Sequence, residues 1–276
     1  MGGPEKFSDR ILRFFDGIFT EPRVAHPEGV AIHADGSIWC GTETGDLLRI
    51  DAGAKSVERI GATGGFLLGI AFDSASNCYA CDLRHSAIFR FDAAKREMTY
   101  FAGAGIKVPN YPVVDEANGW LYVSDSAGEA GGVFRFDLKT GEGGVWCREE
   151  FAFANGMVMA HDGSGLYVVE SNTPCVSFVP IETDGSAGQK RIVVEGVHNV
   201  PDGLAFAPDG SLLISCYEPS RIYRWSEDRG LDLLIEDPAA TTMAHPTNVA
   251  LKGLTLYTAN LGRWHITEID LGPVFG

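Results

Sequence analysis

Apolar positions along this chain come in short runs separated by polar or glycine-containing turns, and no run approaches the length of a membrane span. Six segments repeat one pattern: a polar lead-in, a short apolar strand, a turn, and a second strand that ends on a polar residue. They are PEGVAIHADGSIWCGT from Pro27, LLGIAFDSASNCYACD from Leu67, PNYPVVDEANGWLYVSD from Pro109, ANGMVMAHDGSGLYVVE from Ala154, PDGLAFAPDGSLLISC from Pro201 and PTNVALKGLTLYTAN from Pro246. Two more strands follow each hairpin, as in DLLRID and SVERIG, or AIFRFD and EMTYFAG. A period of this length with several short strands per unit predicts a β-propeller. The expectation is an all-β fold of six four-stranded antiparallel blades, a single domain over residues 1–276. The last blade lacks an outer strand after HITEIDL. The N-terminal LRFFDGIFTE is expected to supply it, closing the ring and removing an exposed edge.

The stretch VPDGLAFAPDG, Val200 to Gly210, carries Pro-Asp-Gly twice, and the repeat separates the two copies. The later copy falls where the other units have Asp35-Gly36, Ser76-Asn77, Asn118-Gly119, Asp162-Gly163 and Lys252-Gly253. These are hairpin-turn residues, suited to positive φ and to local side-chain hydrogen bonds, so Asp209 reads as a turn residue. The earlier copy falls in a slot held by Glu28, Leu68, Asn110, Asn155, Asp202 and Thr247, spaced by 40, 42, 45, 47 and 45 residues. This slot has no shared turn chemistry.

The innermost strands of a propeller run in one direction around its axis. The slot residues, just before them, are therefore expected to ring one mouth of the channel. Two carboxylates and two amides converging there are costly without a positive partner, which a cation would supply. Their oxygens are hard ligands suited to Ca²⁺, Mg²⁺ or Mn²⁺, and Zn²⁺ also uses them. The structural alternative is that they cap the loops leading into each blade. The second strands end in Thr42, Asp82, Asp125, Glu170, Cys216 and Asn260. This outer ring either lines a pocket, supports the inner ligands, or satisfies turn amides. The residue three earlier (Trp39, Tyr79, Tyr122, Leu213, Tyr257 and, in the fourth unit, Tyr167) is expected to pack between blades. His26-Pro27 and His245-Pro246 precede equivalent slots, as rigid lead-ins or as proton-shuttling groups near the mouth.

A net charge of −15 argues against nucleic acid and anionic membranes as partners. The polar start MGGPEKFSDR has no signal-peptide apolar region, so a cytoplasmic location is expected. The six cysteines are irregularly spaced, which does not suggest a disulfide framework. Cys78 and Cys81 lie in an apparent strand, where i and i+3 point to opposite faces, so they are expected as buried thiols. There is no G-x-S-x-G elbow, P-loop or dinucleotide glycine fingerprint.

The stretches HPEGVAI, FANGMVM, VPDGLAF and HPTNVAL resemble the gluconolactonase/senescence marker protein (regucalcin) family of six-bladed propellers, from about Glu21 to the end of the chain. The resemblance implies one divalent metal held by Glu28, Asn155 and Asp202, hydrolysis of a sugar lactone, and Asp202 as general base. It also implies substrate contacts from Asn110 and, across an inserted residue, from Glu129. The animal members carry an Arg where this chain has Val108, which implies a different lactone or a different way of holding its hydroxyls. Strictosidine-synthase-like propellers share the fold but lack this metal set. The alternative function is a non-catalytic propeller that binds metal and a sugar acid.

Overall fold

A computed structural model describes residues 10–127 and 132–276. It contains six four-stranded antiparallel sheets, and in five of them the strands follow sequence order from axis to rim. The innermost strands are Val30–Ile32, Leu67–Phe72, Pro109–Asp115, Ala154–Met159, Val200–Phe206 and Pro246–Lys252. Each packs beside the next, and the sixth meets the first. The sixth blade takes its outer strand from Ile11–Asp16, which pairs antiparallel with His265–Asp270. This is the expected closure, from residues starting one position earlier than the predicted stretch. Among the described residues no helix is long and apolar enough to cross a membrane.

The six hairpin turns behave as expected. Gly36, Ser76, Gly119, Gly163, Gly210 and Gly253 all adopt positive φ, one per blade. Asp209 Oδ1 accepts the Ser211 amide at 3.0 Å and its hydroxyl at 2.6 Å, and its other oxygen pairs with Arg224. Asp35 does the same for Ser37 and Arg49 in the first blade. Both carboxylates are held below the usual range, by their serine hydrogen bonds and the arginine against a cost of burial. Asp209 is therefore a turn residue.

The aromatic position in each second strand packs between blades. Trp39 meets Phe72 at 5.0 Å between ring centroids, and Tyr167 meets Phe206 at 5.7 Å. Cys78 and Cys81 enter two different apolar clusters, on opposite faces of their strand, and are free thiols.

Where the strands converge on the axis, the backbone itself sets the limits. In blades two to six the first hairpin slips register at the slot, between Leu67 and Ile70, Pro109 and Pro112, Ala154 and Met157, Pro201 and Leu204, and Pro246 and Val249. The slot residues of these blades thus lie inside the strands, in a bulge, rather than just ahead of them. Only Glu28 precedes its strand. A bulge places an extra residue and re-aims its side chain, a device common beside functional sites. The following residue is Gly29, Gly69, Gly156 or Gly203 in four blades. A Cβ on Gly69 would stand 2.7 Å from the Asn110 carbonyl oxygen, and one on Gly203 2.7 Å from that of Thr247. A Cβ on Gly29 or Gly156 would collide with the carbonyl of Leu68 or Asp202. In each case the obstacle is the slot residue of the next blade. Overpacking of this kind costs about 1–3 kcal/mol. Gly156→Ala is therefore expected to lower the urea midpoint clearly. Gly144→Ala, at an outer-strand position where a Cβ meets nothing within 4 Å, should leave it unchanged or raise it.

Candidate functional site

The inner ring of slots is a cluster of buried oxygens. Glu28, Asn110, Asn155 and Asp202 are 4%, 4%, 3% and 6% exposed. Asn155 hydrogen-bonds the Asp202 carboxylate and also donates to Ser171 Oγ at 3.0 Å. Ser171 in turn donates to the Pro201 carbonyl at 2.6 Å, tying blade four to blade five beside Asp202. Thr247 Oγ1 donates to the Glu28 carbonyl at 2.7 Å and joins blade six to blade one. Leu68 fills the slot of blade two with a buried apolar side chain.

The electrostatics of this cluster are unbalanced. Burial pushes the Asp202 carboxyl up to about 7, against the pull of hydrogen bonds from Asn155 and Asn248. Burial, and then the charge of Asp202, holds Glu28 well above the usual carboxylate range. Among the described residues neither forms an ion pair with a basic side chain. Glu28 Oε2, Asn110 Oδ1, Asn155 Oδ1 and Asn248 Oδ1 are buried with no hydrogen-bond partner among the described residues. An unsatisfied buried acceptor costs about 1–3 kcal/mol, so four in one place call for a common partner. Among the described residues no three His, Cys, Asp or Glu side chains are grouped to hold a metal. A cation here would thus rely on amide oxygens beside two carboxylates. That all-oxygen donor set suits a hard divalent ion, and the residues present fit one.

The outer ring has a different job. Asp82 accepts the amides of Phe66 at 3.3 Å and His85 at 3.0 Å. Asp125 accepts those of Lys107 at 3.2 Å and Val108 at 2.8 Å. Glu170 accepts the Ala152 amide at 2.8 Å and pairs with Lys190 at 3.0 Å, and Asn260 accepts the Ala244 amide at 2.8 Å. In these four blades the strand-end side chain therefore clamps the loop leading to the slot, while Asp82 Oδ2, which accepts no hydrogen bond among the described residues, lies 3.0 Å from His85 Nδ1. Of the three readings of this ring, the satisfaction of turn amides holds. Cys216 bonds the His198 carbonyl at 2.6 Å, and Thr42 accepts the Asp46 amide at 3.1 Å.

His26 and His245 both take positive φ and send Nδ1 to a backbone carbonyl of the blade before, Leu261 at 2.7 Å and Tyr217 at 3.1 Å. They brace the lead-in loops. Val108 is tied down through its amide and adds no charge to the mouth. Glu129 lies outside the described residues.

Two residues of the site escaped the sequence reasoning. Tyr111 follows Asn110, and burial with the nearby Glu28 charge pushes its hydroxyl up to about 12. Asn248 follows Thr247, and its Nδ2 stands 3.5 Å from Asp202 Oδ1. The available signal was the position after the slot, which is Gly in four blades and Tyr111 or Asn248 in the other two.

A closed six-bladed propeller with a ring of unpaired oxygens on its axis defines a fold with a candidate cation centre at one mouth. The chain belongs to the SMP-30/gluconolactonase/LRE-like family, whose model matches residues 68–260. Residues 19–50 also match the N-terminal part of the strictosidine synthase-like family. No curated protein matches. Among solved structures, the fold is similar to that of a gluconolactonase from Xanthomonas campestris, with 18% identity and a TM-score of 0.78, covering 94% of this chain and 89% of that one. It is also similar to a putative gluconolactonase at 16% identity and TM-score 0.76, with coverage of 95% and 91%. A chain of the nidogen/laminin complex matches at 17% identity and TM-score 0.73, with coverage of 86% and 90%.

The raised carboxyls make stability depend on pH in a defined direction. In the metal-free protein, native Glu28 and Asp202 hold protons that the unfolded chain releases near pH 4. Their contribution is therefore most favourable at low pH and is lost as pH rises from about 4 through about 7. Urea unfolding of metal-free protein should show this loss, and Asp202→Asn should flatten the profile. An unchanged profile in that variant would place Asp202 in a wetter setting.

Proposed function

We propose that the protein hydrolyses a sugar lactone, with a divalent cation held by Glu28, Asn155 and Asp202 and with Asp202 as general base. The observation that carries this reading is the coupling of buried Glu28 with buried Asp202, which among the described residues have no basic partner and lie beside unpaired amide oxygens. Membership of the SMP-30/gluconolactonase/LRE-like family supports lactonase-type chemistry.

Bound at this centre, a divalent ion supplies Lewis acidity toward a lactone carbonyl and lowers the pKa of an attached water. Asp202 takes the proton of the attacking water, a role worth roughly 10²–10⁴-fold in rate. The new C–O bond forms as the ring C–O bond breaks, and the released alkoxide takes a proton to give the open hydroxy acid. With an ion held beside it, the Asp202 carboxylate would be charged and able to accept a proton at neutral pH. Asn155, braced by Ser171, adds a neutral oxygen, and two carboxylates balance the charge of the ion. Asn110 contacts a substrate hydroxyl, and Glu129 is proposed as a second contact. The net charge of −15 favours a small-molecule partner over nucleic acid or an anionic membrane. Ca²⁺, Mg²⁺ and Mn²⁺ suit the donors best, with Zn²⁺ also to be assayed.

The test is a lactone panel with and without EDTA, followed by a metal titration of Asp202→Asn with bound metal measured in parallel. Turnover should fall by roughly 10²-fold or more even at full occupancy. Near wild-type turnover at full occupancy would remove Asp202 from the base role. Absence of turnover by the wild-type protein would favour a sugar-acid-binding propeller. Asp209→Asn, in the later Pro-Asp-Gly, should keep nearly full activity, because Asn suits the same turn.

A further inference from the structure

The residue after each slot sits where neighbouring blades crowd together at the axis. Four blades use glycine there because a Cβ would run into the slot carbonyl of the next blade. Blade six breaks the rule with Asn248, which is fully buried. Its backbone amide donates to the Glu28 carbonyl at 3.3 Å, and its Nδ2 stands 3.5 Å from Asp202 Oδ1. It therefore touches both acidic residues of the axial cluster, Glu28 at its backbone carbonyl and Asp202 at its carboxylate. Its Oδ1 has no partner among the described residues.

Nothing in the packing asks for an amide at this point. A buried amide oxygen without a partner is a cost that glycine, alanine or serine would reduce or avoid. Leu68 shows that the ring accepts an apolar side chain where no polar group is needed. An amide, however, is both donor and acceptor on one planar group. Its NH₂ faces one carboxylate oxygen of Asp202, and its oxygen is left for a positive partner on the same side of the cluster.

We infer that Asn248 is a further oxygen donor to the axial cation and, through its NH₂, the positioning residue that sets the rotation of the Asp202 carboxylate. This rests on the cation reading above, and the experiment separates the two. Calorimetric titration of metal-free protein with Mn²⁺ and with Ca²⁺ is run on the wild type, Asn248→Ala and Asn248→Asp. Urea unfolding of each metal-free protein is measured alongside.

Wild-type binding of either ion tests the cation reading itself, and no binding of either would overturn both ideas. With the wild type binding, Asn248→Ala should weaken affinity by about tenfold or more, the usual scale for a lost supporting group. Its metal-free stability should be equal or higher, since an orphan oxygen has gone. Asn248→Asp keeps an oxygen and adds charge, so it should bind the ion at least as tightly as the wild type. It should also be less stable without metal, and its kcat on a lactone should fall at saturating metal while KM changes little. A merely structural Asn248 would lower stability in both variants and leave affinity unchanged, and that result would overturn the inference while the cation reading stood. Should Asn248→Ala not fold, Asn248→Asp decides alone: weakened affinity would refute the oxygen-donor role.

Discussion

The closeness of six backbones at one axis governs the rest of this molecule. Where strands approach so tightly that a single Cβ is excluded, side chains at neighbouring positions are forced out of water together. Glu28, Asn110, Asn155 and Asp202 are buried because the inner strands that carry them, or lead from them, have no room to turn them outward. The bulge in each of blades two to six then re-aims the slot, and in blades two, four and five the glycine after it makes the approach tolerable. The same crowding that removes solvent raises both carboxyls and leaves amide oxygens unpaired. Packing and electrostatics at the centre are thus one constraint seen twice.

Acids elsewhere show by contrast what an ordinary structural carboxylate looks like. Asp125 spends its oxygens on the amides of Lys107, Val108 and Ala127. Asp237 collects those of Ala239, Thr241, Thr242 and Met243. Against a cost of burial, these amides hold the Asp237 carboxyl below the usual range, because the backbone provides the positive end of several dipoles. Glu28 and Asp202 lack that provision. The outer ring spends its oxygens mainly on backbone amides, with Asp82 Oδ2 the exception, whereas the inner ring gathers several unpaired ones, and this separates framework from site more sharply than residue type does. Both rings contain Asp, Glu and Asn.

Much of this was legible in the sequence. The period and the six turns follow from patterning that recurs, and the closing strand follows from a unit that is one strand short. The slot stood out because its chemistry varies while its position does not. The outer ring was ambiguous in sequence, since a strand-end carboxylate can face a pocket or a loop, and only the amide positions decide. Asn248 and Tyr111 were missed for a different reason. Gly after an acid or amide reads as turn punctuation, so the position looked conformational. Its true determinant is a clash with the neighbouring blade, which a single strand's pattern does not carry. The His-Pro pairs were readable as rigid lead-ins, but their carbonyl partners lie in the preceding blade, across the ring's seam for His26.

The seam at the sixth blade also has a consequence for how the molecule is made. Every other strand pairing joins neighbours in sequence, so five blades are local meanders able to form as the ribosome delivers them. The contact between Ile11 and Ile269 is different, because the first strand must wait for almost the whole chain. Until His265–Asp270 emerges, the N-terminal strand has no partner, and the arc of finished blades is open at both ends. Vectorial synthesis therefore leaves two sticky edges for most of the time of translation. The axial centre is the last thing to exist, since Glu28 meets Thr247 only when the arc becomes a circle.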